Sequence, residues 1–248
     1  MKFLIGDIGN TSTKICVLNN KFKILRSYNF DTKKMFKGNL IKTIIRKKIN
    51  KGLNPVFLFS SVVPKVFINI KNSLKLTKYK ALEIKNLNLN KVIKINVKNK
   101  KQLGSDRIAN AIGAKKIKNC LILDFGTATT FDIIKNGIYE GGVIAPGVKL
   151  SIKNLNQSTA LLPLINLSSN QKNFGKNTKE ALNAGFVWGY EGLINNIIDK
   201  ITSKNKKKFK IILTGGYANF FKKMVRKVVT VDQDITVKGI ANVYKELI

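Results

Sequence analysis

Apolar positions come in short runs cut by turn residues. Phe3-Leu4-Ile5 breaks at the segment Gly6 to Asn10 and resumes as Lys14-Ile15-Cys16-Val17-Leu18, and the pair Asn19-Asn20 breaks it again before Phe22 to Tyr28. This spacing predicts three consecutive strands in a meander. From Lys33 to Lys51 the period becomes helical, with Met35, Leu40, Ile44 and Ile45 on one face. Val56 to Ser60 predicts a short strand, Pro64 to Asn72 a helix opened by its proline, and Lys78 to Glu83 another strand. The polar, lysine-rich stretch from Asn86 to Lys101 carries no periodic signal, and a helix is predicted from Ser105 to about Lys116.

The pattern then restarts. Cys120 to Asp124 predicts a strand, Gly126 to Thr130 a turn, Phe131 to Ile134 a strand, Asn136-Gly137 a hairpin turn, and Ile138 onward a third strand. Helices are predicted past Pro146 to about Leu155, from Thr178 to Ile201, from Ala218 to Arg226 and from Val237 to Leu247, with strands at Phe209 to Leu213 and Val228 to Val231. Along the long helix, Gly185, Trp188, Gly189 and Gly192 form a glycine-spaced stripe, which predicts close packing, by default inside the chain. Leu4 to Thr13 can be laid without a gap over Leu121 to Thr130; each segment is an apolar strand, then Asp-x-Gly, then small and hydroxyl residues. Self-similarity of this kind predicts duplication. The expected fold is α/β, in two halves at 1–116 and 117–248.

Composition adds one anomaly. Lys and Arg number 46 against 13 Asp and Glu, a net charge of +33, which would draw nucleic acid or an anionic surface. Yet only Arg26, Arg46, Arg107 and Arg226 are arginines, and the lysines are spread along the chain. Sequence-specific nucleic-acid sites favour the arginine fork, so diffuse lysine points to compositional drift rather than to a nucleic-acid function. Cys16 and Cys120 are too few for a disulfide framework or a metal site. The first residues pass straight into a glycine turn with no signal-peptide pattern, and no apolar run approaches a membrane span. A cytoplasmic, membrane-free setting is expected.

The two Asp-x-Gly segments suggest chemistry. Glycine after a strand lets backbone amides approach an oxyanion. In the first segment Gly9, Asn10, Thr11, Ser12 and Thr13 supply small or hydrogen-bonding groups, and Lys14 supplies positive charge for phosphate. Asp7 would hold Mg²⁺, mainly through water. The second segment offers Gly126 and Thr127 with Asp124 as another hard oxygen ligand. Two such hairpins facing across a cleft would clamp a triphosphate, and phosphoryl transfer depends chiefly on positioning and charge neutralisation. Gly215-Gly216, between a predicted strand and helix, would let a nucleotide base lie on the backbone. Neither a Walker loop nor a dinucleotide fingerprint is present.

Together these residues resemble the superfamily of acetate and sugar kinases, heat-shock chaperone ATPases and actin, built from two duplicated RNase H-like domains with a cleft between them. Within it the chain resembles the type III pantothenate kinases. Asp7-Ile8-Gly9-Asn10-Thr11-Ser12-Thr13-Lys14 looks like the family's D-x-G-N-T-x-x-K element, Gly104-Ser105-Asp106-Arg107 like its G-x-D-R, Asp124 to Thr130 like its D-x-G-T-A-T-T, and Gly141 to Gly147 like its G-G-x-I-x-P-G. Thr159 to Pro163, Gly175 to Thr178 and Thr214-Gly215-Gly216 also look familial.

The resemblance implies ATP-dependent phosphorylation of pantothenate, the first step of coenzyme A biosynthesis, in a homodimer. It makes Asp106 the general base, Gly104 to Arg107 and Thr178 the acceptor site, Thr127 an ATP contact, and Asp124 the holder of a monovalent cation, K⁺ or NH₄⁺. Chemistry agrees for the Asp106–Arg107 pair: a carboxylate can take the acceptor's proton, and a guanidinium can grip its carboxylate in bidentate fashion. Helix capping is the plainer role for Asp106. One departure stands out, since the family's Y-x-N-P stretch reads Val97-Lys98-Asn99-Lys100 here and keeps only the asparagine. The rival readings are another small-molecule kinase of the superfamily, or a non-catalytic nucleic-acid-binding or regulatory protein on the same fold.

Overall fold

The computed structural model describes residues 1–36, 40–48, 52–170, 173–203 and 208–248. In chain order its elements are β1 (Lys2–Ile8), β2 (Ser12–Leu18), β3 (Ile24–Asp31), α1 (Thr32–Met35), α2 (Leu40–Lys48), β4 (Leu53–Ser61), α3 (Pro64–Leu74), β5 (Lys80–Glu83), β6 (Lys94–Ile95), α4 (Ser105–Gly113), β7 (Cys120–Phe125), β8 (Ala128–Lys135), β9 (Ile138–Pro146), α5 (Val148–Gln157), α6 (Thr178–Ser203), β10 (Lys210–Gly215), α7 (Ala218–Phe221), β11 (Val229–Val231) and α8 (Ile235–Leu247). The stretch without periodicity forms short 3₁₀ turns at Ile84–Asn86, Leu89–Lys91 and Lys100–Gln102 around β6.

The chain forms two compact units. The first comprises Met1–Lys116, Gly137–Glu140 and Asp234–Ile248, and the second Ile117–Asn136 and Gly141–Gln233. In the first, the strand order is β3-β2-β1-β4-β5, with the meander antiparallel and β4 and β5 parallel to β1. Central β1 is apolar on both sides because helices cover both faces of the sheet. Leu4, Ile8, Phe57 and Phe59 pack with Val66, Ile70 and Leu74 of α3, while α8 contacts β1 and β4 from a helix pair with α4. That α4–α8 crossing is close: a Cβ added at Gly239 would lie 1.8 Å from the Ala109 carbonyl oxygen, and one at Gly113 would lie 2.2 Å from that of Ile235.

The second unit orders its strands β11-β10-β7-β8-β9, the same 3-2-1-4-5 scheme, with β7 antiparallel to β8 and parallel to β10. Its core joins Leu121, Leu123 and Phe131 of the sheet to Val148, Ile152, Tyr190, Ile194 and Phe221 of the helices. The Asn136-Gly137 turn takes positive φ at both residues, 54° and 78°, the geometry that joins two strands by two residues.

Several expectations change. β1 continues through Gly6, Asp7 and Ile8, so the first turn is only residues 9–11 and Asp7 lies in the strand. The second turn is shorter, residues 126–127, because β8 already begins at Ala128. The ungapped overlay of the two segments therefore slips by one residue after the turn. Asp7 faces Lys14 across the ladder, whereas Asp124 faces Thr130. The predicted helix over Lys33 to Lys51 is two helices, α1 capped by Asp31, with 37–39 and 49–51 outside the described residues. The helix expected to reach Arg226 stops at Phe221 because buried Asn195 takes over the backbone there, accepting from Arg226 N at 2.9 Å and donating to Met224 O at 2.9 Å. The stripe Gly185, Trp188, Gly189 and Gly192 is exposed; a Cβ added at any of its glycines would touch nothing within 4 Å, so the stripe does not pack inside the chain among the described residues.

Candidate active site

The first loop is built by its strands and braced from below. Gly9 N donates to Ser12 O at 3.0 Å, and a Cβ on Gly9 would sit 3.0 Å from that oxygen, so a larger residue there would have to push the turn open slightly. Thr32 anchors it: its Oγ1 donates to Gly9 O at 2.7 Å and its amide to Thr11 O at 3.0 Å. Asn10, Thr11 and Ser12 are exposed at the tip. Thr13 is fully buried with its hydroxyl 3.0 Å from that of Thr32, so its side chain supports the loop instead of facing outward. Lys14, half-buried and facing Asp7, donates to Asp234 Oδ1 at 2.7 Å. Asp234, at the start of α8, was not singled out by any sequence pattern.

Gly104 precedes α4 with extended backbone and is its N-cap, so Asp106 is not the capping residue. Asp106 sits in the first turn, where its Oδ1 accepts from Arg107 N at 2.8 Å. The carboxylate folds back over Gly104, where a Cβ would lie 2.5 Å from Oδ1. Burial pushes the Asp106 carboxyl above the ordinary carboxylate range, against the lowering pull of the Arg107 amide and guanidinium. A half-buried acid at a helix start beside a guanidinium can take a proton and hold an anion, the combination a hydroxy-acid acceptor needs. Ser105, by contrast, is buried, and its hydroxyl donates to Glu83, which belongs to no sequence motif.

In the second unit Asp124 is partly buried, flanked on the ladders by Thr130 and Thr214. Gly215 has φ +83°, and a Cβ there would be 2.6 Å from Asp124 Oδ1; one on Gly126 would be 3.7 Å from the same oxygen. The parallel β7–β10 pairing thus brings Gly215 and Gly126 close to the Asp124 carboxylate. Thr127 and Gly216 are exposed. Gly147 packs on this loop, since a Cβ there would come within 2.0 Å of Thr127 O. Thr178 is exposed at the start of α6, which is capped reciprocally: Glu180 N donates to Asn177 Oδ1 at 3.0 Å and Lys176 N to Glu180 Oε2 at 2.9 Å. A cavity of about 490 Å³ lies alongside, lined by Leu164, Ile165, Ser168, Lys179 and Asn183 among others.

Other chemistries find little support. Both thiols are buried and free, and burial pushes Cys16 upward and Cys120 up to about 12, so neither is a ready nucleophile. Among the described residues no cluster of three or more His, Cys, Asp or Glu could hold a metal by itself, and no helix is long and apolar enough to cross a membrane. Mg²⁺ bound through one carboxylate, water and phosphate needs no such cluster.

One topology is written twice, with an aspartate at the same strand position in each copy, and the family match makes the chain an ATP-dependent kinase. Solved structures agree on the fold. A candidate Baf family transcriptional activator from Campylobacter jejuni matches with a TM-score of 0.66 at 20% identity over 98% of each chain, and a candidate N-acetylmannosamine kinase from Listeria monocytogenes with 0.59 at 13% identity over 99% of each. The chain belongs to the type III pantothenate kinase family, whose sequence profile matches residues 3–200. A type III pantothenate kinase from Pelagibacter ubique is 50% identical over 96% of both chains.

Proposed function

We propose that this chain transfers the γ-phosphoryl group of ATP to the hydroxyl of pantothenate, giving 4'-phosphopantothenate. The observation that carries this reading is the Asp106–Arg107 pair, a carboxylate with a raised pKa beside one of the few arginines, in the same unit as the glycine loop of Asp7 to Lys14. Loop amides and the hydroxyls of Thr11 and Ser12 hold phosphate oxygens, with Lys14 exchanging or sharing its Asp234 partner to do so. Asp7 would hold Mg²⁺ through water. Arg107 grips the acceptor carboxylate while Asp106 orients the hydroxyl and accepts its proton, late in a loose transition state. In the second unit Thr127 and the Gly215-Gly216 turn serve the nucleotide, Thr178 the acceptor, and Asp124 a monovalent cation. ATP with Mg²⁺ supplies the transferable group and neutralises its charge. A cytoplasmic setting goes with a reaction that draws on ATP.

The exposed stripe of Gly185, Trp188, Gly189 and Gly192, with Leu161, Leu164 and Phe174 also exposed in this unit, supports a homodimer through α6. The functional test is a coupled assay of ADP release with pantothenate and a panel of sugars and hydroxy acids, in Na⁺ and then in K⁺. Turnover with pantothenate, stimulated by K⁺, is expected. Preference for another acceptor would overturn the substrate, and indifference to K⁺ would overturn the role of Asp124.

A further inference from the structure

Glu83 is a nearly inaccessible carboxylate that the roles above leave unused. It closes β5 opposite Phe59 and takes hydrogen bonds from three segments: the Ser105 hydroxyl, the Lys85 amide and the Ser61 amide. Each segment matters to the site. Ser61 ends β4 beside Ile8, at the mouth of the glycine loop. Ser105 opens α4 immediately before Asp106 and Arg107. Lys85 adds a second grip on the same stretch, its Nζ donating to Lys101 O at 2.6 Å. The end of β5 and the turn after it therefore hold the 101–107 segment at Lys101 and at Ser105.

A carboxylate is an expensive choice for a buried position. Its desolvation, which also raises its pKa, has to be offset by donors, and an apolar side chain would fill the space at less cost. What the carboxylate adds is a fixed location for the donors it gathers. We propose that Glu83 is a positioning residue for the acceptor site: by pinning Ser105 it sets where the Asp106 carboxylate and the Arg107 guanidinium stand. The variable position of the G-x-D-R element is, in this chain, the point at which the first turn of α4 is tied to the sheet. This rests on the reading that Gly104 to Arg107 receives pantothenate.

The test compares wild type with Glu83→Gln, Ser105→Ala and the double variant in full steady-state kinetics, alongside thermal melts. Each single variant should raise KM for pantothenate about tenfold with KM for ATP changed less than about twofold, and the double should be no worse than the worse single, since both remove one contact. Unchanged KM for pantothenate, additive losses, or equal decline in all parameters tracking a lowered melting temperature would overturn the proposal and leave Glu83 a packing residue. A wild type that does not phosphorylate pantothenate would instead sink the substrate assignment, and this inference with it.

Discussion

Substituting Gly239 by alanine tests how α4, and with it Asp106, is held. Both helices lie in the first unit, and the new Cβ would come 1.8 Å from the Ala109 carbonyl oxygen, where ordinary contact begins at 3.4 Å. The obstacle is backbone on both sides, so no rotamer change relieves it and one helix must retreat by about 1.6 Å along that line. Such overpacking costs roughly 1–3 kcal/mol, here toward the upper end. Retreat also strains the 2.6 Å bond from Thr236 Oγ1 to buried Asn110 Oδ1, a contact worth about 1 kcal/mol. Against this, alanine in a helix interior returns about 1 kcal/mol. The net loss is about 3 kcal/mol, a fall in Tm of about 6–12 °C for a chain of this size. Far-UV circular dichroism is the right probe, because the lone tryptophan, Trp188, lies in the second unit. A Tm equal to or above that of wild type would show that the helices separate at this crossing without cost, and that it does not hold α4 in place.

Asp106→Asn should lower kcat by about 10²–10⁴ while calorimetric ATP binding persists, and the wild-type kcat/KM should fall on the acid side through a pKa above the ordinary carboxylate value of about 4. The same raised pKa has a stability consequence: the folded state holds the Asp106 proton more tightly than the unfolded chain, so its charged form destabilises above the folded pKa and the penalty fades as pH falls toward the unfolded value. The Asn variant should therefore gain more stability over wild type at pH 8 than at pH 4 in urea melts. Gly215→Ala, forced to φ +83° with its Cβ 2.6 Å from Asp124 Oδ1, should lose most of the K⁺ stimulation in the coupled assay; full retention would sever Asp124 from the cation. If the proposed α6 homodimer forms, Gly189→Leu should leave a monomer in light scattering after gel filtration, and a surviving dimer would place the interface elsewhere.

The fold was legible wherever a local signal was also the global one. Apolar runs broken by Gly or Asn became strands, the Asn136-Gly137 turn formed where expected, and duplication was visible because both copies kept Asp-x-Gly after an apolar strand. Boundaries failed where tertiary hydrogen bonds overrode propensity, as when Asn195 ended α7 early. The glycine stripe of α6 was visible, but its direction was not, because spacing says which residues share a face and nothing about what that face meets. The proposed site residues were marked by motifs of small and charged groups. Their supports were missed: Thr32 under the first loop, Asp234 on Lys14 and Glu83 behind Ser105 are single residues distant in sequence, without pattern of their own.

The one-residue difference between the two turns also separates their chemistry. Because the first turn is longer, the residue brought opposite Asp7 is Lys14, and the buried threonine before it, Thr13, becomes a brace. In the second copy the shorter turn puts Thr130 opposite Asp124, with Thr129 buried in the place of Thr13 and Thr214 on the other side. Asp7 is thus paired across the ladder with a lysine whose ammonium is held by Asp234, which fits the phosphate-binding role proposed for that loop. Asp124 has threonines on both ladders and glycines close to its carboxylate, which fits the cation role proposed for it rather than a second phosphate grip. Duplication supplied two equivalent carboxylates, and a single inserted residue gave them different partners.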